Sequence, residues 1–234
     1  LLKKYNFIDF ITHRFGEEVT ENLLVNLALN LPIDSISNLS YRNLSGDIIT
    51  TKYEPQTGTS YPSPYLEGTF DEILKDDISF SVLFESNRGC PNSCAFCDWS
   101  DLGTKVRLFP MQKVKAELDW FAKHKIEYIY CVDANFCLFD RDAEIADYVV
   151  QCKEKYGYPK VFKVFFTKNR FDFVFDVSTK FFKSGLDKAK TISFQSMNDE
   201  VLKNIGRKNI SVEFFKKVCY SEKRIAKEAL SYVQ

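Results

Sequence analysis

Histidine and methionine are scarce in this 234-residue chain, two of each, and no charge of one sign is in excess: 32 Lys and Arg stand against 32 Asp and Glu. The balance argues against a strongly electrostatic partner, and so against a nucleic-acid groove built on a basic face. No apolar run reaches the roughly 18 residues that read as a membrane span, and Leu1-Leu2-Lys3-Lys4 is not a signal peptide. Seven cysteines, an odd number with three clustered, do not suggest a disulfide framework. They fit a reducing compartment, so the chain reads as cytoplasmic and free of disulfides. His13 and His124 are the only histidines, and neither lies beside a second cysteine pair. The two separated ligand pairs of an ordinary structural zinc site are therefore missing.

At 45% hydrophobic residues the chain can bury a substantial core, and one domain of about barrel size is expected. Its 22 Phe and 12 Tyr recur mostly at strand or helix spacing and are assigned to that core. Phe7 to Ile11 alternates as a strand, Gly16-Glu17-Glu18 reads as a turn, and Val19 to Leu31 carries Leu23, Leu24, Leu27 and Leu31 at helical spacing up to Pro32. Residues 36 to 77 read as a connector. It holds a short hairpin, Ile36 to Tyr41 with Ile48 to Tyr53, around Ser45-Gly46-Asp47, and then an extended crossing segment fixed by Pro62 and Pro64.

From Ile78 onward strands and helices alternate. Strands are expected at Ile78 to Phe84, Ile126 to Val132, Val161 to Phe166 and Thr191 to Phe194. Helices are expected at Met111 to His124, Asp140 to Tyr156, Val174 to Lys183, Asp199 to Ile205 and Val212 to Lys223. Such alternation predicts an α/β fold with parallel strands and helices outside, four strand-helix units in all. Polar residues follow each strand: Arg88 and a cysteine loop, Asp133 and Asn135, Lys168 and Asn169, then Gln195. Carboxyl ends of parallel strands are where such folds bind ligands. Leu1 is no initiator and Gln234 follows a helical pattern without a stop signal, so the chain reads as a piece of something longer.

The sequence is organised around Glu85 to Trp99. Cys90, Cys94 and Cys97 fall within eight residues on a loop turned by Gly89 and Pro91, directly after the first of these strands. Three such thiolates can converge on one soft metal centre with a coordination position left open. Iron-sulfur clusters usually take four cysteines, so a cluster held by three would leave one iron free. Zinc on three thiols is the other possibility.

Cys-x3-Cys-x2-Cys with aromatic Phe96 before its last cysteine resembles the signature loop of the radical S-adenosylmethionine (SAM) enzymes. The resemblance implies a four-iron four-sulfur cluster on Cys90, Cys94 and Cys97. The fourth iron would chelate SAM, which one electron cleaves to a 5'-deoxyadenosyl radical. The opening segment and the string Pro62-Ser63-Pro64-Tyr65-Leu66-Glu67-Gly68 resemble the cobalamin-dependent subgroup. They imply the end of a cobalamin-binding-like domain at 1–35, a linker at 36–77, and a partial (β/α)6 TIM-like barrel at 78–234. His13 is not placed where the subgroup has its cobalt ligand.

Asp133-Ala134-Asn135-Phe136 stands where the superfamily holds the SAM amino group, with Cys137 in place of a usual glycine. Ser193 to Met197, with Gln195, resembles the family strand near the SAM ribose and carboxylate, and Arg207 matches an arginine that meets that carboxylate. Cys131, Cys152 and Cys219 read as core thiols. The implied cofactors are the cluster, SAM and, for the subgroup, cobalamin. The implied partners are a small-molecule or peptide substrate and a flavodoxin- or ferredoxin-type electron donor, with no membrane and no nucleic acid. Methylation of an unactivated centre is the activity such enzymes often have. The rival readings are a radical SAM enzyme without cobalamin and a non-catalytic zinc-binding domain.

Overall fold

The computed structural model of the protein describes residues 1–55, 61–76, 79–97, 99, 105–168, 170–188, 196 and 198–207. The chain forms two compact units, Leu1–Tyr61 and Pro62–Gln234. In the first, strands β1 (Phe10–Thr12), β2 (Leu39–Arg42) and β3 (Ile48–Thr50) make an antiparallel sheet in the order β1-β2-β3. The hairpin expected within 36–77 is thus also paired to β1. Asn43 forms its turn by accepting from the Ser45 and Asp47 backbone N–H groups at 3.0 and 2.8 Å, and Gly46 supplies the positive φ of 86°.

Helix α1 (Gly16–Ala28) packs Val19 and Leu23 against Ile36, Leu39 and Tyr41. Gly16 opens the helix rather than making a turn before it. The helix also ends ahead of Leu31, because Asn30 takes a left-handed φ of 54° and Leu31 N–H closes on the Asn26 carbonyl at 2.8 Å. Of the leucines expected on one buried stripe, only Leu23 is buried; Leu24, Leu27 and Leu31 are exposed. The His13 ring meets Ser40 Oγ at 2.7 Å within this sheet.

In the second unit, β4 (Ser81–Phe84), β7 (Tyr128–Cys131) and β8 (Val161–Lys163) form a parallel sheet in the order β4-β7-β8. Between β4 and β7 the chain makes a two-stranded ribbon, β5 (Asn87–Arg88) with β6 (Arg107–Leu108), and then helix α2 (Met111–Lys123). Helices α3 (Arg141–Tyr156), α4 (Phe171–Lys183) and α5 (Asp199–Asn204) follow. The α/β class and the parallel strands are as expected, with three of the four strand-helix units among the described residues. The fourth strand, Gln195, Asn169, Cys219 and the helix expected at 212–223 lie outside them.

The third strand is shorter than expected, since regular pairing stops at Lys163. Phe166 nevertheless bridges Phe136 in parallel. Pro62 to Gly68 is not extended: Leu66 and Glu67 N–H both turn back to the Ser63 carbonyl at 3.0 Å. Tyr65 anchors this turn, donating to the Leu83 carbonyl at 2.6 Å and setting its ring edge-on to Phe121 at 4.7 Å. Among the described residues no helix is long and apolar enough to cross a membrane.

The core of this unit follows the predicted periodicities. Val114, Leu118 and Phe121 of α2, Ile145, Ala146 and Val149 of α3, and Val174, Val177 and Phe181 of α4 close over Val82, Phe84, Ile129 and Phe162 of the sheet. Phe84, Phe121, Phe136, Phe162 and Phe181 are essentially fully buried, and each such side chain stabilises by about 1.5–3 kcal/mol through area removed from water. Cys131 and Cys152 are buried core thiols, as expected. Burial pushes the Cys152 thiol up to about 12, so it stays protonated.

One polar contact crosses this apolar sheet. Asp133, just past β7 and 0% exposed, receives four hydrogen bonds from the end of β4. Oδ1 accepts from Ser86 N at 2.8 Å and Asn87 N at 3.1 Å, while Oδ2 accepts from Ser86 Oγ at 2.5 Å and Asn87 Nδ2 at 2.8 Å. Burial raises the Asp133 pKa to about 6, against the pull of the Ser86 and Asn87 donors.

Asp133→Ala would leave buried donors unmatched, and we expect a loss of about 2–4 kcal/mol in denaturant unfolding. Because the folded pKa lies above the unfolded one, the native state binds the extra proton between about pH 4 and 6. Stability should therefore fall as pH rises through that window, by on the order of 3 kcal/mol, and Asp133→Asn should flatten this limb. An unchanged pH profile in Asp133→Asn would show that the carboxylate is not the group responsible.

Candidate functional site

The Asp133 clamp fixes where the chain leaves β4, and the cysteine loop starts three residues after Asn87. Gly89 turns it with φ 115°, and a Cβ there would stand 3.2 Å from the Lys105 carbonyl oxygen and 3.3 Å from Val106 Cα. Only glycine lets the loop pass this close to the backbone leading into β6. Within the loop, Cys97 N–H closes onto the Cys94 carbonyl at 3.0 Å. Cys94 is buried, Cys90 and Cys97 are partly exposed, and none of the three is in a disulfide.

Three other parts of the unit bring polar groups to these thiols. From the end of β7, Asn135 is 3% exposed and its Nδ2 donates to Cys90 Sγ at 3.1 Å. Asn92, in the loop itself, donates to the same sulfur at 3.6 Å. Beyond β8, Lys168 is held below the usual lysine range by burial and by the neighbouring Arg207 cation, while Cys90, Cys94 and Cys97 pull it back up. That balance puts the ammonium within electrostatic reach of all three thiols.

Past α5, Arg207 Nη1 lies 3.9 Å from Cys94 Sγ, and its guanidinium stands 6.0 Å from the centre of the Phe96 ring. The loop and this helix end are joined through the backbone. Ala95 N–H donates to the Ile205 carbonyl at 3.0 Å, and a Cβ on Gly206 would come within 3.1 Å of the Ser93 carbonyl oxygen.

The structure thus brings together Cys90, Cys94, Cys97, Phe96, Asn135, Lys168 and Arg207. Ala134 is half-buried between Asp133 and Asn135. Asp133 differs from expectation: both its oxygens are used by Ser86 and Asn87 and it has no exposed surface, so it acts on the site by holding the β4 end. Ser86, Asn87 and Gly206 had no assigned site role from sequence, while Gly89 turns the loop as expected. The signal available was a polar Ser-Asn pair after one apolar strand and an acid after the next. Cys137 takes a left-handed conformation, φ 68°, while fully buried.

The donor set suits an iron-sulfur cluster. Three thiols on one loop are met by amide donors and by two cations, which offset thiolate charge. Among the described residues no three His, Cys, Asp or Glu side chains stand close enough to share a single metal ion; each thiolate of a four-iron cluster takes its own iron, so the cluster does not require that. Arg207 Nε and Nη2 are buried without a hydrogen-bond partner among the described residues. Their two N–H groups match the fork that binds a carboxylate.

Comparison with known proteins gives the same direction. Two curated relatives are 34% identical to the chain: 2-(S-pantetheinyl)-carbapenam-3-carboxylate methyltransferase of Streptantibioticus cattleyicolor, over 229 residues, and the cobalamin-dependent radical SAM methyltransferase TokK of Streptomyces tokunonensis, over 224. Each alignment covers 92% of this chain and 33% of the relative, so the chain spans about a third of their length. Among solved structures, the cobalamin-dependent SAM radical enzyme OxsB with aqua-cobalamin bound matches 84% of this chain and 29% of its own, with TM-score 0.53 and 19% identity. The radical SAM methyltransferase TsrM from Kitasatospora setae matches 88% of this chain and 45% of its own, with TM-score 0.55 and 14% identity. These two likenesses establish the fold. The Radical SAM superfamily model matches residues 84–226, from the last residue of β4 through the cysteine loop and helices α2 to α5, and the chain belongs to that superfamily.

Proposed function

We propose that this protein uses Cys90, Cys94 and Cys97 to hold a four-iron four-sulfur cluster and binds SAM beside it, for cobalamin-dependent methyl transfer to an unactivated centre of a small molecule. The observation that carries this reading is the convergence of Asn135 and Arg207 on one cysteine loop from two separate elements. When bound, the cluster supplies the electron that cleaves SAM to methionine and a 5'-deoxyadenosyl radical, and methylcobalamin supplies the methyl group.

The chain's own residues bind and orient. Arg207 offers its two unmatched N–H groups to the methionyl carboxylate, and Lys168, which feels both Arg207 and the three cysteines, adds positive charge. Phe96, 54% exposed and with the Arg207 guanidinium over its ring at 6.0 Å, leaves an aromatic surface for the adenosyl group. Asn169 and Gln195, which follow strands expected from the sequence, are proposed as further cofactor contacts and lie outside the described residues. The first unit is read as the end of a cobalamin-binding domain, with 36–77 leading to the partial barrel of 78–234. The methyl-transfer part of the proposal rests on the two 34% relatives, both methyltransferases by name, and a carbapenam carboxylate is the substrate class to try first. An intracellular, reducing location and a flavodoxin- or ferredoxin-type electron donor suit a site built on free thiols.

Anaerobic reconstitution with iron and sulfide tests the reading. We expect about four irons per chain, a thiolate-to-iron absorption near about 400 nm, and release of 5'-deoxyadenosine when reductant and SAM are added. Cys90→Ala, Cys94→Ala or Cys97→Ala should each abolish both iron retention and SAM cleavage. Retention of full iron by any of these variants, or stoichiometric zinc in the wild type with no such absorption, would contradict it.

Gly89→Ala should lower iron content, because φ 115° is strained for an L side chain and the added Cβ would stand only 3.2–3.3 Å from the backbone of Lys105 and Val106. Arg207→Ala should leave the cluster intact and weaken SAM binding by about ten- to a hundredfold, the loss of a charge-assisted pair of about 1.5–3 kcal/mol. Equilibrium binding of SAM to the oxidised, reconstituted protein measures this. Unchanged affinity with intact iron would remove Arg207 from the site.

A further inference from the structure

We propose that the Asn135 carboxamide tunes the reduction potential of the cluster by donating a hydrogen bond to the sulfur of Cys90. This inference rests on the cluster assignment above and goes beyond it. The resemblance of Asp133-Ala134-Asn135-Phe136 implies a role toward the SAM amino group, whereas the structure aims the Asn135 nitrogen at a cysteine sulfur, 3.1 Å away. Asn135 is 3% exposed, so water does not compete for that donor.

The backbone that carries the carboxamide is tied on both sides. Two residues before it, Asp133 is tied to Ser86 and Asn87 by four hydrogen bonds. One residue after it, Phe136 is held to the chain beyond β8 on both sides, its N–H donating to the Phe165 carbonyl and its carbonyl accepting from Thr167 N–H, each at 2.7 Å. Asn135 is therefore fixed between β4 and β8 on a segment that cannot rotate without breaking one of these ties.

A donor to a ligating sulfur stabilises the reduced cluster, which carries the greater negative charge, more than the oxidised one. The three sulfurs are not treated alike. Cys90 receives Asn135 at 3.1 Å and Asn92 at 3.6 Å, while Cys94 has the Arg207 guanidinium at 3.9 Å. Removing the Asn135 donor should make the cluster harder to reduce without removing a ligand.

The test is a redox titration of the reconstituted protein without SAM, following the EPR signal of the one-electron-reduced cluster in wild type, Asn135→Leu and Asn135→Asp. Omitting SAM isolates the sulfur contact from any contact to the SAM amino group. Asn135→Leu removes the donor at similar volume, and Asn135→Asp keeps an acceptor for SAM while replacing the donor with an anion. In both variants the ratio of reduced to oxidised cluster at a fixed potential should fall about tenfold, a shift of about 59 mV to more negative potential for a one-electron couple.

Should Asn135→Leu hold too little iron to titrate, the isosteric Asn135→Asp carries the test. Equal midpoints in wild type and a fully iron-loaded variant would overturn the inference and leave the cluster assignment standing. Failure of the wild type itself to hold iron would overturn both.

Discussion

A single buried carboxylate holds the ends of two parallel strands together, and the site hangs from that junction. Asp133 spends both oxygens on Ser86 and Asn87. Leaving an ionised group at 0% exposure is costly, and only the four donors keep its pKa as low as about 6. The fold tolerates the cost because the contact sets the direction in which the chain leaves β4. Apolar packing between Phe84, Phe121 and Phe162 could hold the strands without specifying that direction.

Close backbone approach does the rest. Gly89 lies against Lys105 and Val106 on one side of the loop, and Gly206 lies against the Ser93 carbonyl on the other. The short helix α5 starts at Asn198, whose side chain caps Glu200 and Val201 N–H at 2.9 and 3.2 Å. It ends by accepting Ala95 N–H at the Ile205 carbonyl and so carries Arg207 to the thiols. The cysteine loop is therefore clamped between a ribbon and a helix end, which is how a loop rich in polar residues can present three sulfurs with little rearrangement.

Much of this was legible in the sequence, for physical reasons that differ by element. The apolar faces of α2 and α3 appear as predicted because both helices bury one stripe against a sheet, so Val114, Leu118, Phe121, Ile145 and Val149 repeat at the helical period. The same reasoning misled around α1, where Leu24 and Leu27, with Leu31 beyond the helix end, share the period but of the helix only Val19 and Leu23 are buried in that unit's core. The cysteine spacing exposed the site, since three thiols in eight residues have no packing rationale. The use of Asp133 could not be read: an acid after a strand looks the same whether it faces a ligand or accepts from another strand's end. That distinction depends on register between residues 46 and 47 apart in sequence.

The central claim is that SAM binds directly to a cluster held by Cys90, Cys94 and Cys97. The most direct measurement is electron-nuclear double resonance on the reduced, reconstituted protein, with SAM carrying nitrogen-15 in its amino group. The account predicts a hyperfine coupling from that nitrogen to the cluster spin, lost when unlabelled SAM is used. A reduced cluster whose spectrum is the same with and without labelled SAM, at concentrations that saturate binding, would contradict it.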